Sequence, residues 1–337
     1  MRSRLDHLED FWHRDESALA HHTTYSAYGY PVRLSANDPR LLKVGLFSAG
    51  RYSRCAPIPD ALSISFSFVM DRRLRSEPVP ADWPSRLRYT GVGQWLAVNG
   101  EPWVNSFADL QRWIGVAFVS ASLMEQPRML SRFIGDCFVL NMLMRTGWGQ
   151  LHASCLYRDG RALLLHGRHN AGKSTTAFRL AMNGYRLVSD GMTYVRRLEQ
   201  GVELLGYPVG EVKLRLDMLE EFRQVKVREA ALVREDTKMV YDLRQEMPER
   251  VVEEAIRPQR IVLCLLERTG RRETTAERIA SSVALDALLS ESTFRDDMEV
   301  LVSNLESIQA LLAMTDCYHL RVGTDVKGIV DTVDSLQ

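Results

Sequence analysis

An excess of charge of either sign is missing from this chain, whose 337 residues hold 43 Lys and Arg against 43 Asp and Glu. A neutral chain has no electrostatic reason to bind nucleic acid or a membrane surface nonspecifically, so neither is expected as a partner. The basic runs that do occur, Arg72-Arg73-Leu74-Arg75 and Arg271-Arg272, are short and read as solvated faces or turns. Cysteine is scarce too. Cys55, Cys137, Cys155, Cys264 and Cys317 are far apart, and no pair has metal-ligand spacing. Their odd number, and the apolar settings of Cys137, Cys155 and Cys264, predict buried free thiols in a reducing compartment. The opening MRSRLDHLEDFWHRDE has no apolar core for a signal peptide. Apolar windows near Trp113 and Phe138 are too short to span a bilayer. A soluble cytoplasmic protein is expected, without repeats or low-complexity tracts.

What is present is enough apolar sequence, 45% of the chain, for a sizeable core and for two domains. The first half reads as β-rich. Leu62, Ile64, Phe66 and Phe68 alternate with serines, which puts four apolar groups on one face of a strand. Asn99-Gly100 between residues 94–98 and 101–105 signals a hairpin. Pro78, Pro80 and Pro84 mark a loop, and Pro127 opens a long helix that Gly147 ends. Beyond Gly147, strands at 151–157, 161–166 and 186–189 alternate with a helix at 173–183. That order predicts an α/β layer on a mixed sheet. The expected division is a smaller β-rich α+β domain over residues 1–147 and a nucleotide-binding domain over residues 148–337.

Gly167-Arg168-His169-Asn170-Ala171-Gly172-Lys173-Ser174 spells G-x-x-x-x-G-K-[ST]. In such a loop the glycines let backbone N–H groups curl around phosphate oxygens, and the following helix points its positive end at them. Lys173 can reach the β- and γ-phosphates, and the Ser174 hydroxyl can ligate magnesium. The cofactors implied are ATP and Mg2+, with residues 167–175, including Ala171 and Thr175, as the binding loop. The pattern arises by chance in roughly one chain in a hundred of this length, so its setting decides. Ala162-Leu163-Leu164-Leu165 before it suits a buried strand, and Ala177, Leu180 and Ala181 after it have helical spacing.

Geometry then places two more residues. A helix of about eleven residues rises ~16 Å from the phosphates, and a strand over 185–190 runs ~20 Å back. Asp190 should therefore end level with the loop, where an acid can take a proton from an attacking hydroxyl or hold magnesium. A turn-forming Asp before Gly191 is the competing reading. Asp159-Gly160 looks like a two-residue hairpin turn. Counting back along its ladder sets His152 opposite Gly167, which makes His152 a candidate for a catalytic-site role against the plainer reading of a structural histidine. His166 and His169 border the loop, and His169 could touch the nucleotide.

Leu151-His152-Ala153, the loop and Gly184-Tyr185-Arg186-Leu187-Val188-Ser189-Asp190 together resemble the C-terminal domain of the HPr kinase/phosphorylase family. The match covers residues 150–195 well and continues more loosely to about Arg268. The resemblance implies a P-loop kinase fold like that of phosphoenolpyruvate carboxykinase, and transfer of the ATP γ-phosphoryl group to a serine hydroxyl. It further implies that Lys173 binds phosphates, Ser174 binds magnesium and Asp190 activates the acceptor, with His152 nearby. Glu203, in Val202-Glu203-Leu204-Leu205-Gly206, would be a glutamate near the metal, and Lys238 a basic residue of a later segment. An exposed strand acid and a plain hairpin lysine are the competing readings.

Two departures narrow what carries over. The family's paired aspartates are Asp190-Gly191 here, so reverse phosphorolysis is not expected, and the N-terminal half does not resemble the regulatory enzyme's. The acceptor is therefore left as a peptide, protein or small-molecule hydroxyl rather than the phosphocarrier HPr. An ordinary P-loop NTPase, for which Glu267 at the end of residues 261–267 could serve as the strand-end acid, stays open. So do a nucleotide-sensing module and assembly as a homo-oligomer.

Overall fold

Alternation of apolar and small polar side chains builds the first sheet. A computed structural model describes residues 19–218, 220–223, 226–233, 236–290 and 297–336, with backbone alone for 227–237. The opening segment considered above as a signal peptide lies outside these residues, as does Gln337. Two compact units divide the chain. One contains the described residues of Met1–Gly50, Ala56–Thr146 and Arg295–Val300, and the other those of Arg51–Cys55, Gly147–Phe294 and Leu301–Gln337.

Seven strands form the sheet of the first unit: β1 (His21–Ala27), β2 (Tyr30–Ala36), β3 (Ile64–Met70), β4 (Arg88–Val92), β5 (Trp95–Gly100), β6 (Val104–Asp109) and β7 (Ile114–Val119). Their order is β1-β2-β3-β7-β6-β5-β4, parallel on both sides of β3 and antiparallel elsewhere. Ile64, Phe66 and Phe68 are buried on one face as the alternation predicts, but Leu62 lies before the strand and is 66% exposed. Short helix α1 (Lys43–Ala49) and a helical run from Pro127 to Thr146 belong to this unit, and the run includes α2 (Asp136–Leu143). Within that run Phe138 meets Phe66, with ring centroids 5.2 Å apart.

The Asn99-Gly100 hairpin is corrected. Both residues belong to β5, and the reversal falls on the next three residues, where the Trp103 N–H bonds the Gly100 carbonyl at 2.8 Å. Trp103 explains the shift, because its ring is buried and its indole N–H reaches the Glu77 carbonyl at 3.0 Å. A Cβ on Gly100 would also stand 2.8 Å from Leu87. The two-residue turns of this sheet are Tyr28-Gly29, between Ala27 and Tyr30, and Gly93-Gln94, between Val92 and Trp95.

The second unit begins with β8 (Gly149–Leu151), β9 (Ala153–Arg158) and β10 (Arg161–His166), then helix α3 (Lys173–Met182). There follow β11 (Arg186–Ser189), β12 (Met192–Arg197), β13 (Val202–Tyr207), β14 (Glu211–Arg215), β15 (Val227–Val233) and β16 (Asp236–Asp242). The chain closes with β17 (Arg260–Arg268), β18 (Thr275–Arg278), α4 (Ser281–Ser290), α5 (Met298–Leu312), β19 (Thr315–Val322) and α6 (Val326–Ser335). The main sheet runs β11-β9-β10-β17-β19-β18, and β10, β17 and β19 are mutually parallel. It is a mixed sheet, as expected. Two three-stranded sheets, β13-β12-β8 and β14-β16-β15, complete the unit.

The strand expected over residues 151–157 is in fact two. β8 pairs with β12 and β9 with β10 and β11, so the chain changes sheets at His152. Both faces of the main sheet are covered, which is why Ala162 to Leu165 can be continuously apolar. Leu163 and Leu165 join Ala177, Phe178, Ile329 and Val333 of α3 and α6, while Ala162 and Leu164 join Ala284, Leu288, Ile308 and Leu311 of α4 and α5. Among the described residues no helix is long and apolar enough to cross a membrane.

Residues 51–55 run through the second unit rather than the first. The Ser53 hydroxyl accepts from the Gly206 N–H at 2.7 Å, and the Arg54 N–H donates to the Glu253 carbonyl at 2.6 Å. Gly206 is pressed against β11, since a Cβ there would stand 2.1 Å from the Val188 carbonyl oxygen. Gly206→Ala should therefore lower the free energy of unfolding by about 3 kcal/mol, because backbone must move to admit one methyl. Gly135→Ala is the control. Its new methyl would meet nothing nearer than Val44 at 3.6 Å, and the helical position should gain up to about 1 kcal/mol. Urea denaturation of both variants checks the contrast, and equal effects would disprove the close approach at Val188.

Candidate functional site

Strand β10 delivers its last residue, His166, to the start of the phosphate loop, and α3 begins at Lys173. Between them the backbone alternates in hand. Asn170 has φ of 63° and Gly172 of 92°, a conformation that glycine and asparagine adopt at little cost. The Ala171 N–H bonds the Arg168 carbonyl at 3.1 Å, and the Thr176 N–H bonds the Gly172 carbonyl at 2.8 Å to start the helix. At Gly167 a Cβ would crowd Ala171 at 3.0 Å and the Leu266 carbonyl at 3.1 Å. Such turns gather successive N–H groups into an anion-binding concavity. Arg168 and Asn170 are exposed at the rim, while His169, Ser174 and Thr175 are half-buried.

Lys173 is 9% exposed, with its ammonium folded back over the loop to donate to the carbonyls of Gly167 and Arg168, the latter at 3.2 Å. Asp190 stands one residue past the end of β11, 7% exposed, just before Gly191 turns the chain with φ of 105° into β12. Its Oδ1 accepts the Ser154 hydroxyl at 2.7 Å, and its Oδ2 accepts the Lys213 backbone N–H at 3.2 Å. The Ser174 hydroxyl lies close enough to favour the ionised form of this carboxylate, as do the charges of Lys173 and Lys238. Burial pushes the Asp190 carboxyl above the ordinary carboxylate range, against the opposing pull of these hydroxyls and ammonium groups. Such a group holds a proton more readily than an exposed aspartate does.

Lys173, Ser174 and Asp190 are thus brought together from the loop, the first turn of α3 and the end of β11. Lys238, read from sequence as more simply a hairpin lysine, lies in β16 opposite Arg215 with its charge near Asp190. Two contributors were not foreseen, Ser154 and the Lys213 amide. Ser154 did leave a signal, as a lone hydroxyl among apolar residues two positions after His152.

His152 sits between β8 and β9, half-buried. Asp159 and Gly160 both have positive φ, and the ladder from that turn ends at the pair Ala153 and His166. His152 is the next residue in line on one strand, as Gly167 is on the other. Its carbonyl meets the His166 Nδ1 at 3.0 Å, and the His166 Nε2 meets the Ala287 carbonyl at 3.1 Å. Those contacts make His166 a bracket between the β8–β9 junction and α4.

Glu203, the other acid considered for the metal, lies further along β13. It lies directly opposite Arg196 on β12, bonds that guanidinium, and accepts from Arg257 at 3.0 Å. The end of β13 nearest Asp190 is Tyr207, paired with Met192, and four residues of strand separate the two positions by about 13 Å. Two guanidiniums neutralise Glu203 because both neighbouring segments present an arginine to it. Among the described residues no group of three or more His, Cys, Asp or Glu could hold a metal ion. Ser174 and Asp190 are the side chains at this loop whose oxygens could touch a magnesium ion, directly or through water of its hydration shell. Glu267, the strand-end acid, pairs with His319 at 3.1 Å and Arg321 at 3.5 Å.

No protein-family model matches the chain, and no curated protein matches it. Among solved structures it is similar to the Hpr(Ser) kinase/phosphatase from Coxiella burnetii, with a TM-score of 0.27 and 12% identity over 55% of this chain and 93% of that one.

The Glu203 contacts predict a structural phenotype. Glu203→Ala should cost about 2 kcal/mol of stability by stripping two arginines of a buried partner, and leave the magnesium dependence of ATP binding unchanged. Thermal melts and ATP titrations across a magnesium series test both halves. Weakened magnesium dependence in a variant of normal stability would restore Glu203 to the metal.

Proposed function

We propose that this protein is an ATP-dependent phosphotransferase, built as a P-loop kinase domain of the HPr kinase and phosphoenolpyruvate carboxykinase type. Its acceptor is an alcohol, in the first instance a serine hydroxyl of a peptide or protein. One observation carries the reading: the buried Asp190 carboxylate stands beside Ser174, in the first turn after the G-x-x-x-x-G-K-[ST] loop, and within the field of Lys173, which caps the same loop. A phosphate-binding loop alone fits many NTPases. A buried carboxylate next to the loop's serine, with raised proton affinity, suits an acceptor that must lose a proton.

Each residue then has a task. The N-terminus of α3 and the loop amides hold the β- and γ-phosphates, and Lys173 moves from the loop carbonyls onto phosphate oxygens. Ser174 helps hold Mg2+, which would neutralise phosphate charge. Asp190 accepts the proton of the acceptor hydroxyl as the new bond from oxygen to the γ-phosphorus forms. The bond from that phosphorus to the bridging oxygen breaks, and ADP leaves with the electron pair. His152, in line with Gly167, is proposed to border the transferred group. The cysteines, all free thiols, agree with action in the cytoplasm.

Lys173→Ala should abolish stabilisation by ATP without unfolding the protein. At 100 times its dissociation constant a ligand stabilises by about 2.7 kcal/mol, and a melting shift like the wild type's in the variant would reject the loop assignment. Asp190→Asn should slow transfer by about 10²–10⁴-fold while binding of ATP with magnesium persists. The measurement uses γ-labelled ATP with a lysate of the protein's own cells, followed by identification of the labelled species. Loss of ATP affinity along with rate would make Asp190 chiefly a metal ligand, and unchanged transfer would remove it from the chemistry. Phosphate release with no labelled acceptor would indicate an NTPase, and ATP binding with no turnover a nucleotide sensor.

A further inference from the structure

We infer that Ser154 is a positioning residue for Asp190, holding the carboxylate in the one orientation that serves the phosphate loop. The inference rests on the reading above in which Asp190 takes part in transfer. It begins from where each residue sits. Asp190 lies beyond the end of β11, where the pairing with β9 has already become irregular between Leu187 and Ser189. Gly191 then turns the chain away. No backbone ladder fixes Asp190, so its side-chain contacts decide how the carboxylate is turned.

Those contacts differ in kind. The Lys213 amide is the longer bond at 3.2 Å, and the Ser174 hydroxyl is the group the proposed reaction gives to magnesium. The Ser154 bond is short at 2.7 Å, and its strand is buried from Ala153 to Leu156. Ser154 is fully buried in β9 opposite Leu165, between Ala153 and Cys155, which are buried as well. A hydroxyl in such surroundings is costly unless bonded. An ionised carboxylate only accepts, so Ser154 must be the donor. Turning the carboxylate away would strand two buried polar groups at once, and that couples its orientation to the rigid centre of the main sheet. Displacing a reacting group by about 1 Å can cost up to about 100-fold in rate.

The test uses the full-length protein and three forms: wild type, Ser154→Ala and Ser154→Thr. With ATP and magnesium as the probe, and ADP formation in the presence of the cell lysate as the readout, Ser154→Ala should lower kcat by roughly 10- to 100-fold. The KM for ATP should stay within about twofold, since the phosphate-binding groups are untouched. Ser154→Thr, which keeps the donor, should recover most of the loss. Wild-type kcat in Ser154→Ala would overturn the proposal. So would a loss spread equally over KM and melting temperature that threonine does not repair. Crystal structures of the two variants read the same point without turnover. A rotated Asp190 carboxylate in the alanine form and a native one in the threonine form support positioning, and an unmoved carboxylate in the alanine form refutes it. A wild type that binds ATP without forming ADP would count against the phosphotransferase reading instead, leaving the carboxylate orientation to decide the role of Ser154.

Discussion

The Asp190 carboxylate is buried where β9, β14 and the first turn of α3 meet; the two strands each give it a hydrogen bond, and Ser174 of α3 stands beside it. Burying a carboxylate is unfavourable unless donors and cations surround it. Here two donors, the nearby Ser174 hydroxyl and two ammonium groups do so, and the arrangement ties separate pieces of chain to one point. If α3 shifted, Ser174 would leave. If β14 shifted, the Lys213 amide would leave. Either change would strand a buried charge, so the phosphate loop and the strand that faces it hold each other in register.

That register also needs a rigid platform, which the main sheet supplies. β10 has β9 on one side and β17 on the other, and helices cover both faces. The loop therefore starts from a strand whose every residue past Arg161 is buried. Close backbone contact continues the same logic at Gly206, which lets β13 lie against Val188 just before Asp190. Ser53, far away in sequence, brackets that glycine on both its N–H and its carbonyl.

Charge is handled differently at Asp190 and Glu203, two of the buried acids of this unit. Asp190 is met mostly by hydroxyls, an amide and more distant ammonium groups, so it can change partners when a ligand arrives. Glu203 is met by two guanidiniums, one straight across the ladder, and has its partners already. A carboxylate neutralised in that way gives little to a metal ion, and its contribution is to the packing of β12 against β13. The same reasoning separates Ser154, whose hydroxyl has a buried acid to serve, from the serines that merely alternate along β3.

Short-range features were legible in the amino-acid order alone. The turn at Asp159-Gly160, the loop from Gly167 to Ser174, the helix after it and the strand ending at Ser189 each depend on residues within a few positions of one another, and local backbone preference is enough to specify them. Counting lengths along helix and strand even put Asp190 level with the loop. Tertiary structure decided the rest. Whether the strand near His152 was one or two depended on which sheets it joined, and the turn after β5 moved because Trp103 needed a buried site. Glu203 read equally as a metal ligand or a plain strand acid, and its partners Arg196 and Arg257, 7 and 54 residues away, came to it only in the fold. Ser154 became significant only when Asp190, 36 residues later, folded onto it. A side chain's partner across such distances is set by how sheets and helices stack, and no local preference encodes that.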